Sequence, residues 1–171
     1  RRVLFRSGGG PFAFGSGMDL AIRRNDFPWP PGCHAAPLFA EQVGPVCRPD
    51  KVAAWFGVAP AQAGCPLGVP CLHTRTRPGA WAQWAAAAGQ PLPEGAGQTF
   101  EHFYFSLQAA VAGLGVAIGP YRQVCDDIEA GLLVAPLGFC PDGTGYHLLA
   151  PAPPAPGSAH ARLSEWLQSL T

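Results

Sequence analysis

Thr74-Arg75-Thr76-Arg77 places two hydroxyls and two guanidinium groups in four consecutive residues. The stretch lies between an apolar strand-like run, Cys71–His73, and Pro78, a good first residue for a helix. Free backbone N–H groups at a helix start and the positive end of its dipole favour an anion, and hydroxyls with guanidinium suit a carboxylate. The competing reading is that Thr74 or Thr76 caps the helix while both arginines face water. The residues alone leave the two readings level.

Other chemistry-bearing groupings are weaker. Cys71 and His73 share a strand face, which could pair a thiolate with a base, but the strand is apolar and no orienting carboxylate is near in sequence. Cys33 and His34 are neighbours and point to opposite faces if extended. Asp126, Asp127 and Glu129 put three carboxylates just before a helix end, where they are expected to face water and not a metal. Gly113, Gly115 and Gly119 imitate a dinucleotide-binding loop, yet a helix leads into them and a strand follows. Pyrophosphate binding needs the reverse order, so a helix C-cap and strand entry is the better reading.

The six cysteines (33, 47, 65, 71, 125 and 140) contain no C-x-x-C spacing, and Pro66 and Pro70 interrupt the tightest pair. Free thiols are expected, with no disulfide scaffold, no zinc site and a reducing, cytoplasmic compartment. The chain has 171 residues, 48% apolar and 13% charged, with eleven basic residues balancing eleven acidic ones. That composition excludes a disordered tail, no apolar run is long enough to span a bilayer, and a neutral balance argues against a domain that itself grips nucleic-acid phosphates. Glycine and proline together make close to a quarter of the chain but punctuate apolar runs and do not form tracts. The first residue is Arg1, the sole methionine is Met18, and no signal peptide is visible, so a fragment lacking its natural beginning is expected.

The elements that must position these groups follow from the punctuation. Strands are expected at Arg1–Ser7, Asp19–Arg24 (buried, with Leu20 and Ile22 on one face), Cys71–His73, Thr99–Phe103, Val116–Ile118, Leu132–Val134 and Tyr146–Ala150. Gly8–Pro11 reads as a turn, Pro11–Gly17 as one helical turn, Asn25–Gly32 as a rigid proline-rich loop, residues 61–70 as a turn-rich link and Gly138–Gly145 as a turn region. Helices are expected from Pro49 or Asp50 to Gly57, from Pro78 to Gly89 with Trp81, Trp84, Ala85 and Ala88 as its stripe, and from Tyr104 to Ala112. Two more run from Pro120 to Ala130 and from Ser158 to Leu170, the last with Leu163, Trp166, Leu167 and Leu170 as its apolar stripe. Alternation of strand and helix indicates α/β units on a mostly parallel sheet. The long extended segments Pro37–Arg48 and Leu132–Ala150 are read as two crossover strands joining two lobes, each a sheet flanked by helices. Lobe I comprises 1–44 and 147–171, lobe II comprises 45–146, and a ligand cleft is expected at the hinge.

The runs DLAIRRNDFPWPPG, PLFAEQVGPVCRP, FEHFYFSLQAAVAGLGVAIGP, DDIEAGLLVAPLGF and GYHLLAP, in this order, resemble the effector-binding (substrate-binding) domain of LysR-type transcriptional regulators. The resemblance is to the group that includes the glycine-cleavage and β-lactamase-induction regulators. It implies a two-lobed, type 2 periplasmic-binding-protein fold and a small-molecule effector that shifts a DNA-bound homodimer or tetramer between states. It also implies that lobe I here lacks the family's first strand and helix, exposing apolar surface, and that DNA is bound only through a missing N-terminal helix-turn-helix. Pocket positions carry over to Ser7 and Gly9 after the first strand, Thr74 and Thr76 in the turn, His102 and Phe103 in FEHF, and Tyr146 in GYHLL. No catalytic residue, cofactor, metal or membrane is implied. Two alternatives remain: a transport solute-binding protein on the same fold, and an enzyme using Cys71 and His73.

Overall fold

The computed structural model describes residues 13–14, 18–57, 68–93, 95 and 97–170. The expected first strand, the Gly8–Pro11 turn, most of the helical turn after it and most of the link at 61–70 lie outside the described residues. In chain order the elements are β1 (Ala21–Arg24), β2 (His34–Val46), α1 (Val52–Phe56, entered through a 3-10 turn at Pro49–Lys51), β3 (Cys71–Thr74), α2 (Ala80–Ala88) and β4 (Thr99–Phe100). They continue with α3 (Phe103–Val111), β5 (Val116–Pro120), α4 (Tyr121–Glu129), β6 (Cys140–Ala150) and α5 (Ala159–Ser169). The chain forms two compact units, Arg1–Glu41 with Gly143–Thr171, and Gln42–Asp142. β2 enters the second unit after Glu41, and β6 leaves it after Asp142.

The Gln42–Asp142 unit is built around β5, whose five residues Val116–Pro120 are all buried. A strand covered on both faces must be apolar at every position. β5 runs parallel to β3 (Cys71 opposite Val116) and antiparallel to the end of β2 (Val46 opposite Ala117), while β3 runs parallel to β4 (His73 opposite Thr99). The pleat then sorts side chains to two sides. Val43, Cys71, Val116 and Ile118 pack with Phe56 of α1 and with Trp81 and Trp84 of α2. Val46, Leu72 and Ala117 pack with Leu107 and Ala110 of α3 and Val124 of α4. The tryptophan stripe anticipated from its spacing is therefore core, and the Trp81 indole N–H donates to the Leu72 carbonyl at 3.1 Å. Gly113, at φ +77°, ends α3, so the glycine run is a C-cap and strand entry.

Several boundaries differ from the sequence reading. Phe103 opens α3 and does not end a strand. Residues 132–134 contribute only a bridge, between Val134 and Cys47. The turn expected at Gly138–Gly145 is instead the first half of β6. There, pairing along β2 overrides local turn propensity, and Gly143 lies within the strand at φ +81°.

In the other unit, β1 runs antiparallel to β6 (Ala21 opposite Leu149, Arg24 opposite Tyr146), and β6 neighbours β2. Leu38, Leu148, Leu149 and Ala150 are buried. The expected buried strand at 19–24 is shorter and inverted in polarity: Ile22 is 47% exposed, and Arg24 is the residue that is buried. The reason is ionic, since Arg24 has acidic partners. Residues 25–33 form no strand or helix, as the prolines require. Ser158 caps α5 as expected, accepting the Ala161 N–H at 3.1 Å. The apolar stripe of α5, however, is not core: no residue of the helix is buried, and Leu163, Trp166 and Leu170 are exposed.

Candidate functional site

Pairing of β3 with β4 sets Thr74 opposite Phe100, and the Arg75 N–H donates to the Phe100 carbonyl at 2.8 Å. Three residues after Phe100, α3 begins at Phe103, with the carbonyl of His102 accepting the Phe105 N–H at 3.1 Å. The sheet thus delivers the Thr74–Arg77 turn and the start of α3 as one assembly. Thr74 is buried and its hydroxyl oxygen accepts the Arg77 N–H at 3.2 Å, while the Thr76 hydroxyl lies 3.5 Å from it. Thr74 closes the turn. It does not cap α2, whose N-cap is Gly79 without a side-chain hydrogen bond.

The two arginines part company. Arg75 reaches the surface carboxylate of Glu101 at 2.9 Å, both side chains well exposed. Arg77 turns inward with its guanidinium 5.0 Å from the Phe103 ring centroid, and its Nη1 lies 3.8 Å from Oδ2 of Asp142. A cation over an aromatic face and beside a carboxylate is held in plane and in place. Of the residues named from sequence, Thr74, Thr76, His102 and Phe103 belong to this unit; His102 is exposed and Phe103 half-buried. Ser7 and Gly9 lie outside the described residues.

Tyr146 belongs to the other unit. It stacks on Phe39 at 4.9 Å between centroids and sits within a buried charge network. Arg24 donates to Asp26 from Nε (3.1 Å) and Nη2 (2.6 Å), and its Nη1 lies 3.7 Å from Glu41, which is almost fully buried. Burial, then the Glu41 carboxylate that accepts the phenol's hydrogen, push Tyr146 up to about 12. Tyr146 is therefore a neutral phenol whose proton is directed at Glu41. Sequence reasoning missed Arg24, Glu41 and Asp142, and it named Arg77 only as one of two arginines in the turn. Each joins a partner distant along the chain or opposite to its hydropathy, and only the repeated arginines of the turn hinted at Arg77.

Of the thiol candidates, Cys71 is core, whereas Cys33, also expected to be buried, is half-buried. Cys71 is buried and pushed up to about 11 by that burial, and Cys47 to about 12 by burial and then Asp50. Both are thiols at neutral pH, the reverse of nucleophile activation. Cysteines 33, 47, 71, 125 and 140 are free, while Cys65 lies outside the described residues. Among the described residues no three His, Cys, Asp or Glu gather as a metal-binding group, and no helix is long and apolar enough to cross a membrane.

Comparison with known proteins identifies the family. The LysR substrate binding domain matches residues 13–171. The chain belongs to this family. The HTH-type transcriptional regulator TrpI of Pseudomonas aeruginosa is 42% identical over 156 residues, covering 89% of this chain and 51% of that protein. The HTH-type transcriptional activator AmpR of Enterobacter cloacae is 29% identical over 153 residues, covering 88% and 50%. The LysR domain described here thus spans about half the length of these curated relatives. The effector domain of the transcriptional regulator AmpR of Pseudomonas aeruginosa superposes with a TM-score of 0.67 at 25% identity, over 90% of this chain and 72% of that one. The AmpR effector binding domain from Citrobacter freundii gives 0.68 at 25% identity, over 90% and 74%. The LysR domain shares the mixed α/β, two-lobed periplasmic-binding-protein-like fold of these neighbours. That its relatives are transcriptional regulators supports a regulatory domain over a transport solute-binding protein.

Proposed function

We propose that this LysR domain senses a small-molecule effector on behalf of a longer transcriptional regulator. The effector contacts Thr74, Thr76, His102, Phe103 and Tyr146, together with Ser7 and Gly9, and it carries a carboxylate. The observation that carries the reading is the Thr74–Arg77 turn, where hydroxyls and an inward guanidinium stand on a rigid sheet within a chain of this family. The domain is non-catalytic: a ligand changes its state only through different affinities for two arrangements of the protein. DNA is bound through a helix-turn-helix outside this chain, in a homodimer or tetramer, in the cytoplasm.

The test is thermal unfolding of the 171-residue chain against free amino acids, short peptides and aromatic acids. A true effector at about a hundredfold excess over its Kd raises the melting temperature by roughly 5–10 °C. Thr74→Val and Tyr146→Phe are expected to abolish that shift while the unliganded proteins still melt cooperatively. A saturating panel that stabilises nothing contradicts the reading.

A further inference from the structure

The inward arginine of the turn is built for more than packing. The Arg77 side chain is only 15% exposed, where that of Arg75, two residues earlier, is 70% exposed. Its backbone is tied by its own N–H to the Thr74 hydroxyl, which fixes the root of the side chain relative to the two threonines. The Phe103 ring supports one face of the guanidinium at 5.0 Å. Its Nη1 lies 3.8 Å from Oδ2 of Asp142, which makes Asp142 its neighbouring counter-ion. Asp142 is itself a special position. Its side chain is 3% exposed, it ends the Gln42–Asp142 unit, and it precedes Gly143, whose φ of +81° only glycine adopts readily.

We propose that Arg77, and not Arg75, selects the carboxylate of the effector, and that Asp142 is its positioning residue, an internal carboxylate whose place on the guanidinium the effector takes over. This rests on the effector reading above. The planar fork of arginine matches a carboxylate through two parallel N–H groups, which a point charge cannot do.

The experiment is an NMR titration of the intact 171-residue chain with sodium acetate, acetamide and inorganic phosphate, following the Arg77 side-chain Nε–Hε signal and the Gly143 amide. Acetate is expected to shift both signals saturably and acetamide to shift neither. Arg77→Gln abolishes the response, Arg77→Lys weakens it by roughly fivefold or more, and Arg75→Gln leaves it unchanged. Asp142→Asn, by removing the competing carboxylate, tightens acetate roughly fivefold, the scale of about 1 kcal/mol. The proposal is overturned if acetate leaves the Arg77 signal of the folded wild type unmoved, if Asp142→Asn weakens binding, or if phosphate competes as well as acetate. An effector panel that raises the melting temperature while Arg77 ignores acetate would overturn this inference and leave the effector reading standing. The converse result, acetate shifting the Arg77 signal while no compound raises the melting temperature, would sink the effector reading and this inference with it.

Discussion

The two units solve the problem of burial differently. Both apolar clusters found among the described residues fall within Gln42–Asp142, where α1 and α2 cover one side of the strands and α3 and α4 the other. Among its described residues, the unit holding β1 and α5 buries a short apolar row, Leu38 and Leu148–Ala150, beside the Arg24–Glu41 ion pair, and no residue of its last helix is fully buried. Hydrophobic packing tolerates alteration of a rim residue but not of a central one, whereas a buried ion pair fails as soon as one charge loses its partner. The unit with the apolar core therefore has the rigidity to hold Thr74 and Arg77 in register. In the other, the described residues bring charges together at Tyr146.

The contrast can be broken at its strongest point first. Trp84 is 1% exposed at the centre of the α2 cluster, and Trp84→Ala is expected to cost about 3–5 kcal/mol in urea unfolding. A loss below ~1 kcal/mol would mean the cluster is not the core. Next comes Glu41→Ala, expected to cost about 3 kcal/mol, at the lower end for a broken buried pair because Asp26 still holds Arg24. The double replacement Arg24→Met with Glu41→Leu should recover most of that loss, and equal damage in single and double variants would show that charge pairing is not what the site needs.

Alkali probes both units together. Cys47, Cys71 and Tyr146 titrate higher in the folded chain than when exposed, so the folded state holds protons that the unfolded state releases. Their stabilisation is complete below about pH 9 and is lost as the pH rises toward 11 to 12, each group contributing up to about 1.4 kcal/mol per pH unit in its own window. Cys47→Ala and Cys71→Ala should flatten the decline measured by urea unfolding across that range; an undiminished slope in the double variant would rule out the thiols. The smallest effect is expected at Trp166, 57% exposed on α5, where Trp166→Gln should change stability by less than about 0.5 kcal/mol. A loss comparable to that at Trp84 would erase the distinction between the two regions.

Much of this was legible in the residues, and the exceptions share a cause. Trp81 and Trp84 at helical spacing, Gly113 after α3, the proline-locked loop at 25–32 and the Ser158 cap each carry their reason within a few neighbours. The family resemblance, carried by runs such as AAVAGLGVAI, was readable for the same reason. Illegible features depend on partners far along the chain. Arg24 is buried because Glu41 meets it across the sheet, Cys140–Gly145 is strand because β2 lies beside it, and Asp142 finds Arg77 from 65 residues away. Exposure of the α5 stripe was equally hidden, since amphipathic spacing states which face is apolar and not whether anything covers it.

The central claim is that a small carboxylate-bearing molecule is read at the Thr74–Arg77 turn. Its most direct test is a crystal structure of this chain bound to the tightest compound from the thermal panel. The account predicts a carboxylate within hydrogen-bonding distance of the Arg77 guanidinium and a threonine hydroxyl of the turn. A bound compound touching none of Thr74, Thr76, Arg77 and Phe103 would contradict it.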